Sequence, residues 1–264
     1  MKRKIIVFTV WTFVAILLFA LLVVVNKKFG RTACKGVEIS IAQNSQNALI
    51  SENDVRSYLN GLGDTVDGVH LADINIGKLE EAINSDPYVK STQIYITING
   101  HVRIDVEPRK PLARVQNAMN EEFYISEDGH LMKAGNGKTA YVLFANGLIT
   151  DIYWPSTDLD FGNPKKKIDS AICKTSLYKI FSLARYIDHN DFLKSQIDQV
   201  YVDKFGELEL IPKVGNHIII FGDADNMQDK FEKLIIFYRK GLINEGWEKY
   251  DTINIKYKNQ VVCS

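Results

Sequence analysis

The stretch Ile94-Tyr-Ile-Thr-Ile-Asn-Gly-His-Val-Arg-Ile-Asp-Val106 carries the clearest structural signal in the chain. Apolar residues alternate with more polar ones on both sides of Asn99-Gly100, which is the period of a strand with one buried face. The apolar positions are Ile94, Ile96 and Ile98 before the turn, and Val102, Ile104 and Val106 after it. Asn-Gly is a favoured hairpin turn because both residues tolerate positive φ. The stretch therefore predicts a β-hairpin.

The segment before this hairpin predicts one strand and two helices. Residues 36–43 alternate like a half-buried strand. A helix is predicted from Ser51, where Asp54 completes a capping box. A second helix is predicted over residues 75–85, before the helix-ending pair Asp86-Pro87. The order strand, helix, helix, strand, strand predicts a small α+β domain with both helices on one face of a three-stranded sheet.

Beyond the hairpin, Glu107-Pro-Arg-Lys-Pro111 predicts a domain junction, because two prolines stiffen the chain and end sheet pairing. The remainder predicts a mostly antiparallel β domain. We expect its strands near residues 123–125, 131–133, 141–144, 200–203, 207–211, 217–221 and 253–262. Two helices with apolar stripes should pack on this sheet. The stripes are Leu177, Ile180, Phe181, Ala184 and Ile187, and Met227, Phe231, Leu234, Ile235 and Tyr238.

The N-terminal region contains 21 residues without a charge, from Ile5 to Val25. As a helix they would span about 31 Å, against about 30 Å for a bilayer hydrocarbon core. This predicts a transmembrane helix. A cleaved signal peptide is disfavoured by the length and by Asn26-Lys-Lys28 directly after it. Basic residues flank both ends, so charge alone does not set the orientation.

The predicted domain organisation follows from these signals. It comprises a cytoplasmic tail (1–4), a transmembrane helix (5–25), a juxtamembrane linker (26–35), a first α+β domain (36–110) and a β domain (111–264).

Composition and charge exclude some classes of function. Hydrophobic residues make up 46% and charged residues 24%, which is typical of a globular chain. Seven basic residues and no acidic one precede residue 36, so residues 36–264 carry 25 basic against 32 acidic side chains. An acidic domain pair disfavours nucleic acid as a partner. Cys34, Cys173 and Cys263 are too widely spaced for a disulfide framework or a metal cluster, and Arg31-Thr32 disfavours lipidation at Cys34.

Signals of catalysis are weak. Gly135-Asn-Gly-Lys-Thr139 lacks the first glycine of a phosphate-binding loop, since Met132 occupies that position, and it is predicted to be a hairpin turn. The five histidines have no metal-ligand spacing, and His130 and His217 are expected at the surface. Asp151, Asp158 and Asp160 near Trp154 are expected to be solvated loop carboxylates. We therefore expect no enzyme activity, cofactor, metal or small-molecule substrate.

Several stretches, taken in order, resemble the bacterial cell-division family FtsQ (DivIB in Gram-positive bacteria). They are Ile74-Asn-Ile-Gly-Lys-Leu-Glu-Glu-Ala-Ile83, Asp86-Pro-Tyr-Val89, Asn99 to Val115, Tyr124-Ile-Ser-Glu-Asp-Gly129 and Asn254-Ile-Lys-Tyr257. The last departs from the family pattern Asp-x-Arg-Tyr. The resemblance implies a short cytoplasmic tail, one transmembrane helix, a POTRA domain and a β domain. It also implies a single-pass protein of the cytoplasmic (inner) membrane, with its C-terminal part in the periplasm at the division septum.

In function, the resemblance implies a non-enzymatic divisome scaffold. Such a scaffold binds the small single-pass proteins FtsB and FtsL, and through them the septal peptidoglycan synthases, by strand addition at the last β-strand. The partner-binding residues would be Lys256, Tyr257, Lys258, Asn259, Gln260, Val261 and Val262. Lysines protect an edge against indiscriminate pairing and favour an acidic partner. Alternatively, this strand only closes the domain, with Tyr257 in the core. A POTRA-containing envelope chaperone or protein-transport factor stays open as a second function, and a membrane-anchored cell-wall enzyme as a third.

Overall fold

The computed structural model describes residues 11–24, 32–42, 47–61, 66–135, 137–153 and 174–264. Its contacts divide the chain into two compact units. The first contains Met1–Ala42 and Ile50–Pro108, and the second contains Gln43–Leu49 and Arg109–Ser264. Several residues discussed above lie outside the described part of the chain: residues 1–4, most of the predicted linker, Trp154, Asp158, Asp160 and Cys173.

The prediction of a transmembrane helix over residues 5–25 is wrong for the described part of the chain. Helix α1 covers residues 11–24 there, and these 14 residues span about 21 Å. A hydrocarbon core of about 30 Å needs about 20 apolar residues. Among the described residues, no helix combines the length and the apolarity that a membrane crossing requires.

In its described residues, the first unit is a three-stranded sheet with two α-helices. Its elements are β1 (Val37–Ile41), α2 (Glu52–Gly61), α3 (Ile76–Asn84), β2 (Val89–Ile96) and β3 (Val102–Pro108). The strand order is β1-β3-β2, with β1 parallel and β2 antiparallel to β3. The predicted order of strands and helices is confirmed, and the apolar faces of the three strands form the core under α2 and α3.

Local capping explains where both helices start. The Ser51 N–H donates to the Asp54 carboxylate at 2.7 Å, which is the predicted capping box. The Asn75 side chain accepts a bond from the Lys78 N–H at 3.0 Å. The end of α3 is fixed to α2, since the Tyr58 hydroxyl donates to buried Asp86. Burial and this carboxylate raise the pKa of Tyr58.

The hairpin predicted around Asn99-Gly100 is confirmed, but its loop is longer than expected. β2 ends at Ile96, and the Gly100 N–H donates to the Thr97 carbonyl at 2.9 Å. Gly100 adopts a φ of +85°, which favours glycine. Ile98 therefore lies in the loop and is 93% exposed, so its predicted place on the buried face is wrong.

The part of the second unit that the structure describes is a nine-stranded mixed sheet with helices. Its strands are β4 (Pro111–Gln116), β5 (Glu122–Ser126), β6 (Leu131–Lys133), β7 (Leu143–Gly147), β8 (Ile197–Val202), β9 (Leu208–Pro212), β10 (Ile218–Gly222), β11 (Thr252–Asn254) and β12 (Val262–Cys263). Its helices are α4 (Ser176–Asp188), α5 (Asp191–Gln196), α6 (Met227–Phe237) and α7 (Ile243–Glu245), with a π-helical segment (Tyr238–Leu242) joining the last two. The strand order is β12-β11-β10-β9-β8-β7-β4-β5-β6.

Helices α4 and α6 pack together against this sheet, as predicted. The α4 stripe is buried in full, and Tyr186 of α4 stacks on Phe231 of α6 with ring centroids 5.0 Å apart. The ring centroids of Phe231 and Phe221 of β10 also lie 5.0 Å apart.

The sequence patterns did not predict strand β4. This strand begins at Pro111, so the second proline of the predicted junction opens a strand. Proline is tolerated at the first residue of a strand.

Candidate functional site

The C-terminal strand β12 forms one free edge of the large sheet. It pairs with β11 through Ile253 opposite Cys263 and Asn254 opposite Val262. Ser264 and Thr252 exchange two backbone hydrogen bonds, both at 3.1 Å. Because bonding residues alternate along an antiparallel strand, Val261 and Cys263 turn their N–H and C=O groups away from β11. Among the described residues no strand lies beyond β12, so these groups form an open ladder.

The predicted partner-binding residues lie mostly before this strand. We expected one strand over residues 253–262, but β11 ends at Asn254 and β12 begins at Val262. The Asn254 side chain accepts a bond from the Lys256 N–H at 3.0 Å, which turns the chain out of β11. Asn259 adopts a φ of +59°, a conformation that asparagine tolerates in turns. Lys256 to Gln260 therefore form the loop of a hairpin, called the C-terminal hairpin below, which spans residues 252–264.

Tyr257 lies on this loop and is 49% exposed, and Val262 is 47% exposed. The alternative interpretation that Tyr257 is a core residue is therefore wrong. Val261 and Cys263 turn their side chains toward the core and are partly buried. The edge thus combines an exposed aromatic ring with an exposed aliphatic side chain.

Two lysines fix the C-terminal hairpin to the body of the domain. Lys233 of α6 donates to the carbonyl of Ile255 at 2.8 Å and to that of Tyr257. Lys256 forms an ion pair with Glu207, just before β9, and this hydrogen bond raises the pKa of Lys256. The stem of Lys256 crosses Gly222, where a Cβ would lie 2.9 Å from Lys256 Cγ. Gly222 also has a φ of +78°, so glycine is required there for two reasons.

A groove of about 810 Å³ separates the C-terminal hairpin from α6. Its apolar lining includes Ile236, Phe237 and Val261. The Phe237 ring lies over Gly241, where a Cβ would come within 2.9 Å of the ring. The charged residues on its rim are Lys230, Lys233, Lys240, Lys256, Lys258, Asp225, Asp229 and Glu232. Lysines outnumber carboxylates, and Lys240 and Lys258 have no ion pair within the described part of the chain. The groove therefore suits an apolar segment that carries carboxylates.

The opposite edge of the sheet is occupied at one ladder position. β6 is the last strand there, and the backbone N–H of Lys133 donates toward the hydroxyl of Tyr153. A side chain thus occupies a ladder position that a partner strand would need.

The histidines do not converge on this edge. His217 is 1% exposed, so its predicted place at the surface is wrong. Its Nε2 lies 2.8 Å from the Tyr238 hydroxyl, and the two rings meet edge to face at 5.6 Å. His130 is half-buried, with Nδ1 3.5 Å from an Asp128 carboxylate oxygen. In the described ranges, histidine, cysteine and acidic side chains form no group that could hold a metal ion.

Strands β6 and β7, which flank residues 135–139, do not pair with each other, and Asn136 lies outside the described residues. The prediction of a hairpin turn there is therefore wrong. No helix starts directly after the segment, so it also lacks the context of a phosphate-binding loop. Asp151 accepts a bond from the Leu177 N–H at 3.3 Å, at the start of α4, which is a capping role.

Burial of His217 predicts a pH-dependent stability. Burial lowers the pKa of His217 below its ordinary value of 6.5. As pH falls below about 6.5, the unfolded chain binds a proton that the folded chain does not. The free energy of unfolding should therefore decrease until pH reaches the lowered pKa, and then stop changing from this source. Urea unfolding of the wild type and of His217→Asn between pH 7.5 and 5 checks this. A variant with the same pH dependence as the wild type would contradict it.

Sequence reasoning missed Lys233, Glu207 and Gly222, which hold the C-terminal hairpin. These residues lie on α6, just before β9 and at the end of β10, far apart in the sequence. Only Gly222 left a signal, because a glycine at the end of an apolar strand marks a position of unusual backbone conformation.

Comparison with known proteins identifies the class of each unit. Residues 32–107 match the description POTRA-like domain, so the first unit resembles a POTRA domain. Residues 110–264 match the description FtsQ/DivIB, C-terminal related. Because this second match covers more than half of the chain, the protein belongs to the FtsQ/DivIB family. A comparison with curated proteins gave no match.

Family membership gives the coarse function. The protein is a division-related scaffold, and its family is known as a non-enzymatic scaffold family of the division site at the membrane. Its partners are proteins of the division complex.

Proposed function

We propose that the β12 edge recruits a single-pass division protein of the FtsB/FtsL kind by strand addition. Through that partner the scaffold would reach the septal peptidoglycan synthases, on the outer side of the cytoplasmic membrane at the division septum. The observation that supports this most is the open backbone ladder at Val261 and Cys263 beside the groove. No catalytic step is part of the proposal.

The partner strand would align with β12 through its backbone. It would meet the outward N–H and C=O groups of Val261 and Cys263 and extend the sheet by one strand. Since β12 contains two residues, the ladder is short, and side chains must supply much of the affinity. Tyr257 and Val262 offer exposed apolar surface on either side of the ladder. Tyrosine is enriched at interface hot spots because it buries a large ring and keeps a polar end.

The groove would hold the part of the partner that continues past the strand. Ile236 and Phe237 would contact an apolar side chain, and Lys240 and Lys258 would face its carboxylates. Lysine-rich rims mainly raise the association rate and exclude basic competitors. We therefore expect binding to weaken moderately with added salt, as surface charges are screened.

Localisation and co-purification test the proposal together. We expect a fluorescent fusion of the full-length chain to form a band at midcell in dividing cells, and an FtsB-like protein to co-purify with it. A uniform signal over the envelope, with unfolded proteins co-purifying instead, would favour the envelope chaperone or transport factor and overturn the proposal. Survival of division after deletion of residues 252–264 would also contradict it.

A further inference from the structure

Lys233 joins α6 to the C-terminal hairpin at the point where the chain leaves β11. The Ile255 N–H still donates to the Ile220 carbonyl of β10 at 3.0 Å, so that side of the residue belongs to the sheet. The Ile255 carbonyl instead accepts from Lys233 Nζ at 2.8 Å, and the Tyr257 carbonyl accepts from the same amine. One cation thus holds two carbonyls of a loop that has left the ladder.

The surroundings of Lys233 disfavour its charged form. Burial lowers the pKa of Lys233, and nearby Lys230 lowers it further. Lys230 points the other way, donating to the Asp223 carbonyl at 2.7 Å and to Asp225 at 2.6 Å. The bonds of Lys233 to two carbonyls are charge-assisted, which makes them about twice as strong as neutral ones. Their effect falls on the loop that carries Tyr257.

We propose that Lys233 is a positioning residue that holds the C-terminal hairpin in the conformation ready for strand addition. The inference rests on the proposed function and adds a requirement to it. A two-residue strand paired only on one side is marginal by itself. Without Lys233 the hairpin is closed for only a fraction of the time, and the apparent dissociation constant rises as the inverse of that fraction. The residue need not touch the partner.

The test compares three variants of the full-length chain. Lys233→Met removes the donor and keeps the apolar stem. Lys233→Arg keeps the positive charge and several N–H donors. Lys240→Met is the matched control, because Lys240 lines the same groove and has no bond to the C-terminal hairpin. The probe is the ectodomain of the FtsB-like protein from the same bacterium.

We expect Lys233→Met to speed hydrogen exchange in residues 255–264, without partner present, and to leave the global unfolding midpoint within a few degrees of the wild type. The dissociation constant of this variant for the FtsB-like ectodomain should rise about tenfold. This factor should equal the inverse of the closed fraction of the hairpin that hydrogen exchange gives. Lys233→Arg should restore most of the slow hydrogen exchange and most of the affinity. Lys240→Met should leave hydrogen exchange in residues 255–264 unchanged.

Failure of the positioning role and failure of the proposed function give different results. If Lys233→Met opens the hairpin but binds the ectodomain like the wild type, the positioning role is overturned and the proposed function stands. Unchanged exchange in Lys233→Met also overturns the positioning role. If the wild-type chain does not bind the ectodomain at all, the proposed function is overturned, and this inference with it.

Discussion

Replacing Val261 with proline is expected to weaken partner binding by about 10- to 100-fold while the fold is retained. The Val261 N–H points away from β11, so its loss removes a bond to the partner and none within the sheet. It would also leave the partner's carbonyl without a donor in a buried ladder, which costs about 1–3 kcal/mol. The proline ring would further crowd the strand that approaches. Titration of the full-length chain with the FtsB-like ectodomain measures the change.

Val261→Ala is the matched control for this variant. It removes most of the same side chain from the groove but keeps the N–H. We expect its dissociation constant to stay within a fewfold of the wild type, since the backbone bond to the partner at this residue is kept. If alanine and proline weaken binding equally, the side chain carries the interaction and strand addition at this edge is wrong. If neither weakens binding, the partner binds elsewhere on the scaffold.

Local sequence patterns predicted the first unit well because its elements depend on neighbouring residues. The alternation in residues 94–106 and the capping residues Ser51 and Asn75 act within a few positions of themselves. The same holds for the apolar stripe of α4, whose period requires one buried face. The exception, Ile98, followed the strand period but lies exposed in the loop that contains Gly100, whose φ is +85°.

The candidate site was less predictable because its geometry comes from contacts distant in sequence. The sequence after Ile253 continues to resemble a strand. However, the Asn254 side chain accepts a bond from the Lys256 N–H, so the strand ends there and the chain forms a hairpin. The hairpin then depends on Lys233, 22 residues before Ile255, and on Glu207, 49 residues before Lys256. Hydrophobic periodicity in the sequence does not predict contacts between residues so far apart. The family resemblance placed the predicted partner-binding residues near the end of the chain, and the structure adds the strand edge and the groove beside it.

Replacing Phe231 with alanine should cause a large loss of stability, about 3–5 kcal/mol. Phe231 is fully buried, stacks on Tyr186 at 5.0 Å and contacts Phe221 at 5.0 Å, so its removal leaves a cavity between α6, α4 and β10. Because α6 also carries Lys233 and lines the groove, a loosened α6 should weaken partner binding as well. Urea unfolding gives the change in stability, and the FtsB-like ectodomain gives the change in binding.

Ile236→Ala on the same helix separates these two effects. Ile236 is 56% exposed and lines the groove, so truncating it should cost about 0.5 kcal/mol of stability or less. Its binding should nevertheless weaken severalfold, because the partner loses an apolar contact. The pair of variants thus distinguishes the face of α6 that holds the fold from the face that meets the partner. Equal losses of stability in both variants would mean that Ile236 belongs to the core and that the groove is not a docking surface. A stable Ile236→Ala variant with undiminished binding would restrict the interface to the β12 ladder and the loop that carries Tyr257.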